Sequence, residues 1–369
     1  MSRIKEFFKK ETVLAVSALA AIATMFLVPP DVSYIGYIDF KVLCLLFCLM
    51  AVVEGFQYCG IFGWLCNKLL KLGKNGRLLG VTLVLLPFFS AMIVTNDVAL
   101  LTFVPFTVML LGQINHPESI IPVLVLQTVA ANLGSMATPV GNPQNLFLYG
   151  HYDLSIAEFF SAVQLLTLIS LILLSAAAMF VLPRQLPEIE RIKVKLQHRR
   201  KLILFTSLFT VCLLTVFRIL HYGIMMAIVV VALLIFQPGI LKKPDIALLL
   251  TFVCFFIVSG NLGRMDTVRD CLEALLGKST LLTAAAASQV ISNVPAAVLL
   301  SGFTDQWCEL MQGVNIGGLG TPIASLASLI TLKLYLRTPD ADAKRFMAIF
   351  MLANIAGLAI LLPIAALIG

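Results

Sequence analysis

The sequence predicts an all-α polytopic membrane protein, an inverted repeat of two halves. Each half carries a re-entrant helical hairpin and a discontinuous transmembrane helix. About nine full spans plus two hairpins are expected, with the N-terminus inside. Three observations point there. First, 60% of the 369 residues are hydrophobic and 12% are charged, and the mean hydropathy is +1.00. A soluble domain carries about 25% charged residues. Too little polar sequence remains to cover a water-facing surface. A soluble enzyme, a disordered scaffold and a nucleic-acid module are therefore excluded, despite a net charge of +7. Second, two apolar stretches are broken at their centres by Thr95-Asn96-Asp97 and Ser292-Asn293-Val294-Pro295. Third, residues 132–139 (Asn-Leu-Gly-Ser-Met-Ala-Thr-Pro) return at 315–322 as Asn-Ile-Gly-Gly-Leu-Gly-Thr-Pro, an offset of 183.

Residues 1–11 are basic, and the apolar run that follows has no small-residue cleavage site, so it reads as a first span rather than a removed signal. The first repeat, 1–182, comprises spans at 13–30 and 40–56, a hairpin at 78–111, a broken span at 119–150 and a span at 159–182. The stretch 78–111 is too long for one span and, with its polar centre, too short for two. Residues 183–222 form a basic cytoplasmic loop and a connector helix at 202–220. The second repeat, 223–369, has spans at 223–237 and 246–260, a hairpin at 279–303, a broken span at 309–333 and a final span at 346–368. The second hairpin is near one span in length and is assigned by the repeat: its break lies 197 residues after the first.

Lysine and arginine set the orientation. With Met1 inside, 21 of the 26 fall inside, leaving Lys41, Arg218, Arg264, Arg269 and Lys278 outside. That split requires both broken stretches to return to the side they came from. The single connector crossing then inverts the second half, so the first hairpin opens inward and the second outward. The eight cysteines lie mostly in apolar runs without metal-ligand or redox spacing and read as packing residues.

Irregular backbone at membrane depth is tolerated only where it is buried in protein or lines a cavity. Thr95 or Asn96 is expected to cap the returning arm of the first hairpin, and Ser292 and Asn293 that of the second, with Pro295 near the first helical position. Thr138-Pro139 and Thr321-Pro322 repeat a cap-then-proline signature, and Asn142-Pro143 adds another in the first half only. Helix N-termini aimed at one point offer N–H groups to an anion. Carbonyls freed at the breaks, with Asn, Ser and Thr oxygens, suit a small hard cation such as sodium. No lysine or arginine sits in these segments.

Solute contact is therefore expected from Asn96, Thr138, Asn142, Asn145, Ser292, Asn293 and Thr321. Ion coupling is expected from Thr95, Asn96, Asp97, Gly134, Ser292, Asn293, Asn315 and Gly318, with sodium possible at Asn96, Asp97 and Asn293. Asp97 is the one carboxylate at depth beside a motif; it either binds a coupling cation, carries a proton or caps its helix. Glu54, Gln127, Gln144, Gln289 and Ser325 are further candidates for the lining.

These residues resemble the ion transporter superfamily, which includes divalent anion/sodium symporters, citrate transporters, arsenite permeases and sodium/proton antiporters. The resemblance covers essentially the whole chain. Its most specific parts are the paired tips and the segment from Gly134 to Asn145 ending Thr-Pro-x-Gly-Asn-Pro-Gln-Asn. Dicarboxylate symporters carry Ser-Asn-Thr at each tip; here the third hydroxyl is replaced by Asp97 and Val294, and the Asn-Asp tip is closer to the arsenite permeases. The resemblance implies hairpins and broken spans that slide as a mobile domain against a dimerised scaffold.

The expected function is secondary transport of a small anion, a carboxylate or inorganic oxyanion, coupled to sodium or protons by an elevator mechanism. The expected setting is the inner (plasma) membrane, as a homodimer in the lipid bilayer, with no cofactor and no nucleic-acid partner. Arsenite efflux and sodium/proton antiport are the alternatives within transport. A membrane-embedded enzyme would want a carboxylate pair, a Ser/His pair or a metal constellation at depth, and Asp97 has no evident partner there.

Overall fold

A computed structural model describes residues 12–61, 64, 75–113, 116–184, 199–338 and 341–368. It is all-helical. The first half comprises α1 (Thr12–Leu27), α2 (Ser33–Tyr37), α3 (Phe40–Tyr58), α4 (Gly76–Val94), α5 (Asn96–Gln113), α6 (Ile120–Ser135), α7 (Pro143–His151) and α8 (Ile156–Ala178). The rest comprises α9 (Arg199–Val216), α10 (Tyr222–Phe236), α11 (Ile246–Gly263), α12 (Asp266–Lys278), α13 (Thr280–Ile291), α14 (Asn293–Leu300), α15 (Trp307–Ile316), α16 (Leu326–Tyr335) and α17 (Ala343–Ile368). Among the described residues, seven helices are long and apolar enough to cross a bilayer unaided, and the bent pair α12–α13 makes an eighth candidate. The chain is thus a polytopic membrane protein. The basic residues of 1–11, 65–74 and 185–198, on which the orientation partly rests, lie outside the described residues.

Local chemistry starts the helices where it is expected to. Asp39 accepts a hydrogen bond from the Val42 N–H at the head of α3 (2.9 Å), and Asp245 does the same for Leu248 at the head of α11 (3.0 Å). Ser155 and Glu158 form a reciprocal capping box on α8. Broad apolar faces remain exposed, including Leu165, Leu168 and Ile172 on α8 and Leu352 and Ile355 on α17, as bilayer-facing helices require.

Two departures from expectation concern lengths. The arms of the first hairpin, 19 and 18 residues, overrun both ends of 78–111, so they are about 28.5 and about 27 Å long. Gly76, Arg77, Gly112 and Gln113 are polar or small and were invisible to hydropathy, yet the helices continue through them. The second departure is α12, which occupies sequence expected to be loop. Its apolar positions Val268, Leu272, Leu275 and Leu276 recur at helical spacing among charges, and it meets α13 at a bend of 119°.

Helix packing divides the chain into two groups. α1, α3, α9, α10 and α11 pack mainly on one another, and α4–α8 pack with α13–α17. The groups touch where α11 meets α14 and where α3 meets α4 and α7. On the surface, Arg264 Nη1 at the end of α11 pairs with Asp31 Oδ2 at 2.8 Å, pinning the turn before α2. The Ser33 hydroxyl first, and Arg264 second, hold the Asp31 carboxyl below its ordinary value of 3.8. A depressed carboxylate contributes stability that is present above 3.8 and lost as pH falls through the lower folded value. Thermal melts in detergent should therefore show a small destabilisation on acidification below that value which Asp31→Asn removes; an exposed pair supports no more than that.

Candidate functional site

The two hairpin tips share one unusual backbone geometry. α4 and α5 are separated by Thr95 alone, at φ 74° and ψ 151°; α13 and α14 are separated by Ser292 alone, at φ 75° and ψ 153°. Both are non-glycine residues in a conformation that L side chains rarely adopt, which costs about 1–3 kcal/mol each. The next residue does the capping in both cases. Asn96 Oδ1 accepts from the Asp97 N–H (3.0 Å) and Asn293 Oδ1 from the Val294 N–H (2.9 Å). Ser292, expected as a cap, makes no side-chain cap bond.

Each tip is fastened to a break in a neighbouring helix. Residues 136–142 interrupt α6 and α7, and residues 317–325 interrupt α15 and α16. Thr138 Oγ1 donates to the Met92 carbonyl and Thr321 Oγ1 to the Gln289 carbonyl (3.0 Å); Met92 and Gln289 are 197 residues apart, like the tips. The expectation that Thr138-Pro139 and Thr321-Pro322 start helices is thereby corrected: no helix begins at either. The helices after the breaks begin at Pro143, behind the Asn142 cap, and at Leu326. The threonines tie hairpin to break instead, because the unpaired carbonyl of the last hairpin turn is the nearer demand. Close approach requires glycine at both fastenings. A Cβ at Gly134 would lie 2.2 Å from the Phe88 carbonyl oxygen, and one at Gly317 would lie 2.8 Å from Ala285 Cα.

A buried amide network joins the halves. Asn132 Oδ1 accepts from Asn96 Nδ2 (3.0 Å) and from the Ser325 hydroxyl (2.9 Å). Asn315 Oδ1 accepts from Asn142 Nδ2 (3.0 Å), and Asn315 Nδ2 donates to Asn145 Oδ1 (2.7 Å). Asn132 Nδ2 reaches the Gly318 carbonyl at 3.4 Å, and the Asn293 N–H donates to the Ala324 carbonyl at 2.9 Å. Asn96, Asn132, Asn142, Asn145, Asn293 and Asn315 are all at most 5% exposed.

Four helix starts meet at this network. A small cavity of about 10 Å³ is lined by Asn96 and Asp97 of α5, Pro143 and Gln144 of α7, Asn293 and Val294 of α14, Ser325 and Leu326 at the start of α16, and Leu248 of α11. It shares Asp97, Pro143, Leu248 and Leu326 with a larger cavity of about 460 Å³ that extends past Glu54 and Thr95 to Lys243, Asp245 and Lys333. Positive dipole ends therefore converge on one point. At the same point lies Asp97, whose Oδ1 is buried without a hydrogen-bond partner.

The predicted residues Thr95, Asn96, Asp97, Asn142, Asn145, Ser292, Asn293, Asn315 and Gly318 thus fall in one neighbourhood, whereas Thr138 and Thr321 sit beneath the tips as fasteners and Gly134 packs on the Phe88 backbone at the fastening. Asn132 was visible as the first residue of the repeated motif but not as the acceptor both tip and break converge on. Gln127 is structural, donating to the Leu83 carbonyl and the Thr107 hydroxyl at 2.8 Å. The charges lining the larger cavity, Lys243, Asp245 and Lys333, carried no signal beyond their place near span ends.

Comparisons with known proteins place the chain among membrane transporters. The chain is 31% identical to an uncharacterized transporter of Methanocaldococcus jannaschii, over 83% of each chain. It is 28% identical to inner membrane protein YbiR of Escherichia coli strain K12, over 86% of each. A shorter match, 32% identical, links 33% of this chain to 25% of a silicon efflux transporter of Oryza sativa. The profile of the citrate transporter family matches residues 7–314. The chain is therefore a multi-pass plasma-membrane protein and a member of the citrate transporter family of membrane transporters.

Proposed function

We propose that the chain is a secondary active transporter that moves a small anion, a carboxylate or inorganic oxyanion, together with a sodium ion or proton. The observation that carries this reading is the convergence of four helix starts, with Asn96 and Asn293, on the cavity that also holds Asp97. Helix N-termini attract an anion without any lysine or arginine at depth. A carboxylate at the same point repels it. Two unit charges about 4 Å apart oppose each other by roughly 4 kcal/mol at an effective dielectric of 20. Anion and ionised Asp97 therefore exclude each other unless a cation neutralises the carboxylate. Solute binding and cation binding become one event, which is the thermodynamic content of coupling.

The paired tip geometry and the offsets of 183 and 197 support an inverted repeat with hairpins that enter and leave on one side. The division of helices into two groups supports an elevator, with α4–α8 and α13–α17 moving against α1, α3 and α9–α11. By resemblance that second group is the scaffold of a homodimer. The similarity to a silicon efflux transporter favours a second reading, export of a neutral oxyacid, at the same site.

Asn96→Ala and Asn293→Ala test the assignment. Each removes a buried cap and partner worth about 1–3 kcal/mol, so uptake should fall roughly 5- to 150-fold with membrane levels unchanged. Uptake of radiolabelled citrate, succinate, sulfate and phosphate into cells or proteoliposomes is the measurement. Normal transport by both variants would put the site elsewhere.

A further inference from the structure

Two side-chain amides sit where the carbonyls of the two breaks converge. At the first break, Asn145 Nδ2 donates to the carbonyls of Ser135 (3.5 Å), Met136 (3.2 Å) and Thr138 (3.3 Å). At the second, Gln289 Nε2 donates to the carbonyls of Gly317 (2.8 Å) and Leu319 (2.9 Å), besides Ala285 in its own helix (3.1 Å). Both amides are held in this sense by their oxygens. Asn145 Oδ1 accepts from Asn315 Nδ2 (2.7 Å), and Gln289 Oε1 accepts from the Thr321 N–H (2.9 Å). Reversing either one would set its oxygen against carbonyl oxygens.

The two amides arrive by different routes. Asn145 reaches back from the helix after its break, whereas Gln289 reaches across from the hairpin arm before its break. The positions that correspond to them by the repeat offsets are Ser328 and Met92, which do neither. Each half therefore satisfies its break with its own amide.

Carbonyls freed at a helix break within the membrane are the ligands a transported cation takes. A primary amide presents two N–H groups to the same oxygens. We infer that Asn145 and Gln289 stand in for bound cations at the two breaks, so that the transporter carries a single cation site, at Asp97. This rests on the ion-coupled reading above. Asp97 is what the amides leave over: its Oδ1 is buried, without a partner, and beside the cavity where the helix starts meet. The cation there is a proton or a sodium ion, and the two give different results below.

The test is equilibrium binding of ²²Na⁺ to the purified full-length protein, with choline as the competing salt. Asp97→Asn should bind no saturable sodium, whether the wild type binds one ion (sodium at Asp97) or none (a proton there). Adding Gln289→Ala to Asp97→Asn should create a new saturable site by uncovering the Gly317 and Leu319 carbonyls. If that double variant is not monodisperse, Gln289→Met, which copies Met92, replaces it. Saturable sodium binding that survives in Asp97→Asn overturns the inference, as does a folded double variant that gains none. Solute uptake by the wild type is scored separately. Uptake with sodium retained in Asp97→Asn defeats the single-site assignment and leaves the transport reading intact. The expected sodium results with no uptake of any solute do the reverse.

Discussion

Asp97→Asn is expected to abolish gradient-driven accumulation while leaving solute exchange across the membrane in place. Asparagine has the shape of aspartate and keeps the head of α5 intact, so the four helix starts still meet around the same cavity. What disappears is the charge that an arriving anion opposes. Solute then binds without waiting for a cation, and the free-energy link between them is cut. Coupling energies of this kind are typically 1–3 kcal/mol, so the accumulation ratio should fall by roughly 5- to 150-fold. Counterflow, which needs only the solute, should persist. Proteoliposomes loaded with or without unlabelled solute separate the two readouts. Undiminished accumulation would assign coupling to another group on the cavity wall, with Glu54 and Asp245 the next candidates.

Gly134→Ala is expected to be among the most damaging single-methyl changes in the first half. The added Cβ would lie 2.2 Å from the Phe88 carbonyl oxygen, 2.7 Å from its carbon and 2.8 Å from its Cα. All three atoms are backbone of α4, so no side chain can rotate away. Either the hairpin arm lifts off α6 by more than an ångström, or α6 distorts at the start of the break. Overpacking costs typically 1–3 kcal/mol where side chains can adjust, and a backbone clash exceeds that range. The consequence should be loss of monodisperse protein, or a large drop in melting temperature with loss of transport. Gly112→Ala is the matched comparison. It lies at the end of α5 with nothing within 4 Å of a new Cβ, so it should be neutral or slightly stabilising. Equal behaviour of the two variants would show that the hairpin does not seat on α6 as described.

How far the sequence carried this picture depended on whether a feature was local. The tips were legible because a backbone break inside hydrocarbon needs Asn, Ser, Thr, Pro or Gly, and those residues stand out against Leu, Ile, Val and Phe. Asn142 was legible as a cap because Pro143 follows it. Thr138 and Thr321 misled for the same reason. Each precedes a proline, but its partner is a carbonyl 46 or 32 residues away, which no local pattern records. Gln289 likewise reads as an ordinary polar residue in an apolar run until residues 317–321 fold across it. The larger cavity draws Glu54, Lys243, Asp245 and Lys333 from three separate stretches, and only packing brings them to one wall. The full lengths of α4 and α5 were missed because hydropathy ends where the apolar residues do and helices do not.

Whether an anion and a cation share the meeting point of the four helix starts can be decided in one set of proteoliposomes. Purified wild-type protein is reconstituted, an inward proton or sodium gradient is imposed, and labelled citrate, succinate, sulfate and phosphate are followed with and without an ionophore. At least one of these anions should accumulate saturably, lose its accumulation when the gradient is dissipated, and enter roughly 5- to 150-fold more slowly through Asn96→Ala. If none accumulates, while arsenite or silicic acid equilibrates without ion movement or cations exchange with no solute present, the anion-and-cation site is contradicted.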